Sequence, residues 1–191
     1  MQTRYTDGRV TIRPYQFSDL KEMVAAAQES TREVYPWLEW CKPDYSIEEA
    51  ETWIRSQREA WSAQREFQFV IIDTDTRRFL GGIGLNDLHP TNRFANLGYW
   101  VRTSEAGKGL ATAAVRLAAR FAFEQTELER LEIVVNPKNL ASQRVAEKAG
   151  AQKEGILRRR IFMHGMSHDA VLYSLIPTDP SDRSDQSTSS F

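Results

Sequence analysis

Residues 97–111 read Leu-Gly-Tyr-Trp-Val-Arg-Thr-Ser-Glu-Ala-Gly-Lys-Gly-Leu-Ala, a strand-like run followed by a polar turn and a glycine pair. A helical pattern follows at once, because apolar residues recur at helical spacing at Leu110, Ala114, Leu117 and Phe121. The first turn of a helix leaves backbone N–H groups unpaired, and the helix dipole adds partial positive charge there. Gly107 and Gly109 let the backbone approach a ligand closely. The stretch therefore predicts a phosphate or pyrophosphate held by the main chain, with Lys108 nearby.

Two other phosphate-binding loops do not fit this stretch. A Walker loop needs Ser or Thr after its lysine, and Gly109 follows Lys108 here. A dinucleotide fingerprint needs a third glycine where this chain has Thr112. A plain strand-to-helix turn that uses glycine only for its geometry fits the loop equally well.

The composition excludes several classes of protein. A chain of 191 residues with a formal net charge of −1 fits one domain and argues against general binding to nucleic acid or to a membrane surface. No apolar run approaches the roughly 18 residues of a membrane-spanning helix, and the N-terminal residues lack the apolar core of a signal peptide. Cys41 is the only cysteine, which rules out an intramolecular disulfide and a cysteine-based zinc site. We therefore expect a soluble cytoplasmic protein.

Hydrophobic periodicity predicts the element order β-α-α-β-β-β-α-β-α-β-β. Helix starts are predicted at two capping boxes, Asp19 with Glu22 and Ser46 with Glu49. The order indicates the α/β (α+β) class, with a mixed central β-sheet and helices on both faces. Residues 1–176 form this single domain, and the polar tail 177–191 is predicted to be disordered.

A second motif, residues 139–150, reads Asn-Leu-Ala-Ser-Gln-Arg-Val-Ala-Glu-Lys-Ala-Gly and follows the glycine loop after one strand. Together the two motifs resemble the GNAT N-acetyltransferase superfamily, and within it the ribosomal-protein N-terminal acetyltransferases. The resemblance covers roughly residues 9–176. It implies a GNAT-type domain in which two central strands splay apart and acetyl-CoA, as cosubstrate, fills the gap.

The resemblance also implies which residues contact the cofactor. In the family, the loop pattern Gln/Arg-x-x-Gly-x-Gly/Ala binds the pyrophosphate of coenzyme A. Gly109 and Ala111 match its last two positions, whereas Ala106 stands where Gln or Arg is usual and removes one polar contact. The pantetheine arm is implied to pair with the end of the preceding strand. The implied cofactor contacts are Trp100, Val101, Arg102, Ala106, Gly107, Lys108, Gly109, Leu110, Ala111, Thr112, Asn139 and Ser142.

Asn139 and Ser142 also fit an ordinary structural role, because Asn139 is a good helix N-cap and Ser142 occupies the third helical position. The resemblance gives them a second role. It implies that Asn139 contacts the coenzyme A arm and that the Ser142 hydroxyl protonates the departing thiolate.

Direct transfer to an amine needs a general base. Two carboxylates are candidates: Glu132 on the buried strand 131–135, and Glu154 just after the second motif. Each could equally be a solvated surface acid, and the sequence does not choose between them. Trp37 and Trp40 resemble the aromatic segment that lines the acceptor site in the ribosomal branch, although core packing would also explain them. His164, His168 and Asp169 flank a turn and make a poor metal cage, so no metal is predicted.

These features together predict an acetyl-CoA-dependent N-acetyltransferase, with Ser142 as general acid and a protein or peptide N-terminal amine as acceptor. One alternative keeps the enzyme and changes the acceptor to a small-molecule amine, since a fold does not fix a substrate. The other alternative is a non-catalytic acyl-CoA-binding module. A homodimer stays open, because many relatives dimerise but no interface is readable in the sequence.

Overall fold

The computed structural model describes residues 1–177, so the predicted disordered tail lies, apart from Pro177, outside the described residues. Within them the strands are β1 (Tyr5–Thr6), β2 (Val10–Pro14), β3 (Phe67–Asp73), β4 (Phe79–His89), β5 (Phe94–Val101), β6 (Arg130–Val135), β7 (Gln152–Met163) and β8 (Met166–Leu175). The α-helices are α1 (Leu20–Val34), α2 (Ile47–Ser62), α3 (Leu110–Gln125) and α4 (Leu140–Ala149). None of these helices has the length and apolar character needed to cross a membrane.

The strands form one sheet in the order β1-β2-β3-β4-β5-β6-β8-β7. Every neighbouring pair is antiparallel except β5 and β6, which are parallel. The predicted order of elements is confirmed, with one strand added at the start. That strand, β1, has only two residues and is too short to show a periodic pattern.

The two parallel strands separate soon after they begin. Only three residue pairs join them: Phe94 with Arg130, Ala95 with Leu131, and Asn96 with Glu132. Because β5 runs on to Val101 and β6 runs on to Val135, the later halves of both strands leave a gap between them. This gap confirms the predicted splayed strand pair.

Helices cover both faces of the sheet. Strand β3 shows this best, because it is buried on both sides. Phe69 and Ile71 pack in the core formed with α3, and Val70 and Ile72 pack in the core formed with α1 and α2. Because side chains alternate along a strand, successive residues of β3 pack in two different cores.

The two predicted capping boxes have different outcomes. Ser46 and Glu49 form the expected box at the start of α2. The predicted box of Asp19 with Glu22 is wrong. The Asp19 carboxylate instead accepts the backbone N–H of Gln16 at 2.8 Å and two hydrogen bonds from Arg13, which together fix a 3-10 turn ahead of α1.

Candidate active site

The gap between β5 and β6 opens into a cleft of about 620 Å³. One wall is the end of β5, another is the glycine loop with the start of α3, and a third is the start of α4. Many of the predicted cofactor residues line this cleft, namely Trp100, Val101, Ala106, Gly107, Gly109, Leu110, Ala111, Thr112, Asn139 and Ser142. The structure therefore brings both sequence motifs to one cavity.

The main chain of β5 presents polar groups to the cleft. The Arg102 N–H donates to the Leu80 carbonyl at 2.9 Å, so even-numbered residues at this end of β5 turn their backbone groups towards β4. Backbone direction alternates along a strand. The N–H and C=O groups of Leu97, Tyr99 and Val101 therefore face the gap, where β6 has moved away.

The glycine loop ends in a helix N-terminus that faces the cleft. Gly107 and Gly109 adopt φ values of 78° and 79°, the left-handed region that a side chain would strain. Gly109 is the N-cap of α3 and supplies no side-chain cap. The N–H groups of Leu110, Ala111 and Thr112 consequently have no acceptor among residues 1–177, which leaves them available to an anion.

Two residues of the predicted cofactor set lie outside the cleft. The Lys108 ammonium donates to Glu105 at 2.8 Å, and Arg78 pairs with the same carboxylate at 2.6 Å. The Arg102 side chain is buried, bonds the Phe79 carbonyl and pairs with Glu29 on α1. Both cations are thus committed to carboxylates of the protein itself.

Other cations, which the sequence analysis did not single out, border the loop instead. Arg144 and Lys148 on α4 line the cleft, and Arg116 with Lys148 borders a smaller cavity that also contacts Gly109. Arg144 and Lys148 are four residues apart on α4, a spacing that could have indicated a shared basic helix face. A basic pair on an exposed helix is common, however, and does not by itself indicate a site.

Asn139 and Ser142 combine both of the roles that the sequence left open. Asn139 caps α4, with its side-chain oxygen accepting the Ser142 N–H at 3.0 Å, and both residues also line the cleft. The Tyr99 hydroxyl lies 3.0 Å from Ser142 Oγ and 2.9 Å from the Ser142 carbonyl oxygen. Burial raises the pKa of Tyr99 to about 12, so the phenol is neutral and can donate.

The two candidate bases lie elsewhere. Glu132 pairs with Asn96 in the closed part of the sheet and accepts a hydrogen bond from Arg130 at 2.9 Å. Glu154 accepts two hydrogen bonds from Arg130, at 2.7 and 2.6 Å, and one from Ser174 at 2.6 Å. These bonds hold the pKa of Glu154 at about 2. Neither carboxylate lines the cleft, and Arg130 engages both.

Another cavity, of about 390 Å³, lies on the α1–α2 side of the sheet. We call it the aromatic cavity; its rings are Tyr15, Trp40, Tyr45, Trp53 and Trp100. It shares Leu38, Gly98, Tyr99 and Trp100 with the cleft, so the two cavities meet at residues 98–100 of β5. Trp37 lines the cleft and Trp40 lines the aromatic cavity, so two residues that were both predicted to line the acceptor site contact different cavities.

Known proteins resemble the chain over most of its length. Residues 9–152 match the family model described as acetyltransferase (GNAT) domain. The Bacillus subtilis protein named probable N-acetyltransferase YjcK is 30% identical over 89% of this chain and 95% of its own. The Escherichia coli ribosomal-protein-serine acetyltransferase is 27% identical over 83% of this chain and 94% of its own.

A solved structure shares the fold. Mycobacterium smegmatis RimJ in complex with CoA-disulfide superposes with a TM-score of 0.81 at 24% identity, covering 97% of this chain and 88% of that chain. The splayed strands, the glycine loop at a helix N-terminus and the family match over residues 9–152 agree with one another. The chain belongs to the GNAT acetyltransferase family, whose members take the acetyl group from acetyl-CoA.

Proposed function

We propose that this acetyltransferase acetylates the N-terminal amine of a protein or peptide. The observation that carries the proposal is the meeting of two cavities at Gly98–Trp100, one lined by the anion-binding loop and one by aromatic rings. An acyl group carried in the cleft and an amine entering from the aromatic cavity would meet at that junction. The resemblance to the ribosomal-protein-serine acetyltransferase supports a protein acceptor.

Two parts of the cleft suit two parts of acetyl-CoA. The unpaired N–H groups at the start of α3 suit the pyrophosphate, since they need an acceptor and carry the helix dipole. Arg144, Lys148 and Arg116 add positive charge beside them. The gap-facing backbone groups of Tyr99 and Val101 suit the amides of the pantetheine arm. Loss of the usual Gln or Arg at Ala106 leaves these main-chain donors in place.

The acetyl transfer that we propose is direct. The neutral amine attacks the thioester carbonyl, a C–N bond forms, and the C–S bond breaks. Gap-facing N–H groups of β5 stabilise the oxyanion, because they point to where its charge develops. The sulfur leaves as a thiolate and takes its proton from Ser142 Oγ, which Tyr99 holds at the cleft wall. The proton that the amine loses passes to solvent water, because Glu132 and Glu154 lie outside both cavities, and Ser142 Oγ regains a proton from water, which restores its hydroxyl.

One observation favours a small-molecule amine as the alternative acceptor. The aromatic cavity, at about 390 Å³, falls in the size range of small-ligand pockets. A non-catalytic acyl-CoA-binding module is the remaining alternative. For either enzyme we propose a cytoplasmic location, where newly made ribosomal proteins and free amines are available.

Thiol release separates these functions. Purified protein with acetyl-CoA is assayed against peptides of different N-terminal residue and against small amines, with the product located by mass spectrometry. Acetylation of a peptide α-amine supports the proposal, and acetylation of small amines alone supports the alternative acceptor. Tight acetyl-CoA binding without thiol release on any amine would contradict both and favour the binding module.

A further inference from the structure

Three glycines line the aromatic cavity on the side of the sheet. Gly82, Gly84 and Gly98 lie side by side on β4 and β5 and face α1 and α2, because Gly84 pairs with Gly98 and Gly82 pairs with Trp100. A Cβ on Gly98 would meet no atom within 4 Å. The space over Gly98 is therefore open to a ligand beside the junction where the acetyl group would arrive, whereas the Tyr15 hydroxyl covers Gly82 and the Gln68 side chain covers Gly84.

Two phenol hydroxyls border the cavity without a partner. Tyr15 and Tyr45 are 7% and 6% exposed, and neither hydroxyl is hydrogen bonded within residues 1–177. The Tyr15 hydroxyl lies over Gly82, in the space that a Cβ on this residue would take. Neither hydroxyl is among the fully buried unpaired side-chain atoms of residues 1–177, so each keeps some surface open and can hydrogen bond a ligand in the cavity.

The charged side chains of residues 1–177 that line the aromatic cavity are both acidic. Among residues 1–177 no Lys or Arg lines it, whereas two carboxylates do, those of Glu49 and Glu66. Glu49 is neutralised by Lys42 at 2.9 Å. Among residues 1–177 no cationic side chain lies within 4.0 Å of Glu66. Aromatic faces attract cations, and more strongly where water is excluded. The cavity thus suits a positive group and disfavours an acidic one.

Glu66 lies two strands away from the junction at Gly98–Trp100. It stands two residues before Gln68, which lies opposite Gly84, which in turn pairs with Gly98. Two strand spacings and two residues of rise put the Cα atoms of Glu66 and Gly98 about 12 Å apart. The carboxylate side chain shortens that span. A positive group bound at Glu66 is therefore several bonds away from an amine that reacts at the junction. A simple monoamine cannot occupy both positions at once.

We propose that Glu66 is a specificity residue that binds a second positive charge on the acceptor. The acceptor is an alkyl diamine in its simplest form, or a peptide whose first residue carries a cationic side chain. Its reactive amine stands at Gly98–Trp100, its alkyl chain passes from the open space over Gly98 along the Gln68 side chain, and its second ammonium pairs with Glu66. This inference rests on the proposed acetyl transfer and names the acceptor chemistry.

Matched acceptors test the proposal with the full chain and acetyl-CoA. We expect kcat/KM to be at least about tenfold higher for 1,4-diaminobutane than for 1-aminobutane. A peptide that begins with Lys, compared with the same peptide beginning with Leu, separates a peptide acceptor from a free diamine. Glu66→Gln should lower kcat/KM for the dicationic acceptor about tenfold, through KM, and leave the monoamine within about twofold. Glu59→Gln, an exposed change on α2, should alter neither value.

The outcomes separate this inference from the proposed function. Equal kcat/KM for the paired acceptors would overturn the second-cation inference while leaving the acetyltransferase intact. A Glu66→Gln enzyme with reduced kcat on every amine and a shifted pH profile would also overturn it, because Glu66 would then act as a base. Gly98→Ala adds one methyl group to open space and should lower kcat/KM for all of the acceptors. If that variant acts normally, the acceptor does not occupy the space over Gly98.

Discussion

The phenolic oxygen of Tyr99 lies 3.0 Å from Ser142 Oγ and 2.9 Å from the carbonyl oxygen of the same residue. Tyr99 belongs to β5 and Ser142 to α4, so this contact joins two walls of the cleft. A carbonyl oxygen can only accept, which directs the single phenol proton to it. The Ser142 hydroxyl is then the donor in its contact with the Tyr99 oxygen, so Tyr99 acts as a positioning residue, and in the proposed transfer the serine proton turns from that oxygen to the departing sulfur.

Removal of the Ser142 hydroxyl tests its role as proton donor. We expect Ser142→Ala to lower kcat by about 10²-fold, in the range of a lost general acid, with little change in the KM for acetyl-CoA. The measurement is steady-state thiol release at saturating acetyl-CoA. An unchanged kcat would remove Ser142 from the proton transfer.

Tyr99→Phe separates positioning from proton donation. The change removes only the phenol oxygen, so the ring still packs and the hydroxyl of Ser142 remains. We expect kcat to fall by about tenfold, less than for Ser142→Ala, and the double variant to resemble Ser142→Ala alone. Additive effects of the two changes would show that the residues act independently.

A side chain at Gly109 should block the anion-binding loop. Gly109→Val places two methyl groups beside the unpaired N–H groups of α3 and should raise the KM for acetyl-CoA by at least about tenfold. Gly8→Val is the matched control, because Gly8 also has a positive φ, 96°, and open space around it but lies outside the cleft. If both variants raise the KM alike, backbone strain rather than ligand exclusion is the cause.

The sequence predicted the main chain of the site better than its side chains. The glycine loop, the Asn139 cap and the splayed strands follow from local patterns and from the resemblance, since backbone geometry is encoded nearby in the chain. The partners of charged groups are not encoded nearby in the chain. Arg102 is paired with Glu29, 73 positions away, and Glu154 with Arg130, 24 positions away. Such pairs depend on the tertiary fold, and so does the approach of Tyr99 to Ser142.

The pairing of Glu29 with Arg102 should contribute to acid stability. Hydrogen bonds from Arg102, with further bonds from Ser104, lower the pKa of Glu29 from 4.5 to about 2 in the folded state. Because the folded pKa is the lower one, the contribution is complete above pH 4.5 and is lost as the pH falls towards 2. We expect Glu29→Gln to lower the free energy of unfolding at pH 7 and to flatten its fall between pH 4.5 and 2. Urea unfolding at several pH values measures both effects, and an unaltered slope would contradict the assignment.

Glu154 and Glu132 should prove structural. Glu154→Gln weakens the contacts with Arg130 and Ser174, so we expect the free energy of unfolding to fall by about 1 kcal/mol. Because the carboxylate lies outside both cavities, kcat should stay within about threefold. Glu132→Gln should behave in the same way. A loss of kcat of about 10²-fold in either variant, with the fold intact by circular dichroism, would restore that residue as the general base.

Substitution of Trp37 and of Trp40 should change the KM of different substrates, although the two residues are only three positions apart. Trp37 lines only the cleft, so Trp37→Ala should raise the KM for acetyl-CoA and leave the KM for the amine close to normal. Trp40 packs edge-on against Trp100, with ring centroids 5.2 Å apart, and lines only the aromatic cavity. Trp40→Ala should therefore raise the KM for the amine about tenfold through loss of an aromatic wall. Initial rates with each substrate varied in turn measure the two constants. Equal effects of both variants on both constants would mean that the rings serve one shared wall, and that the amine does not enter from the α1–α2 side of the sheet.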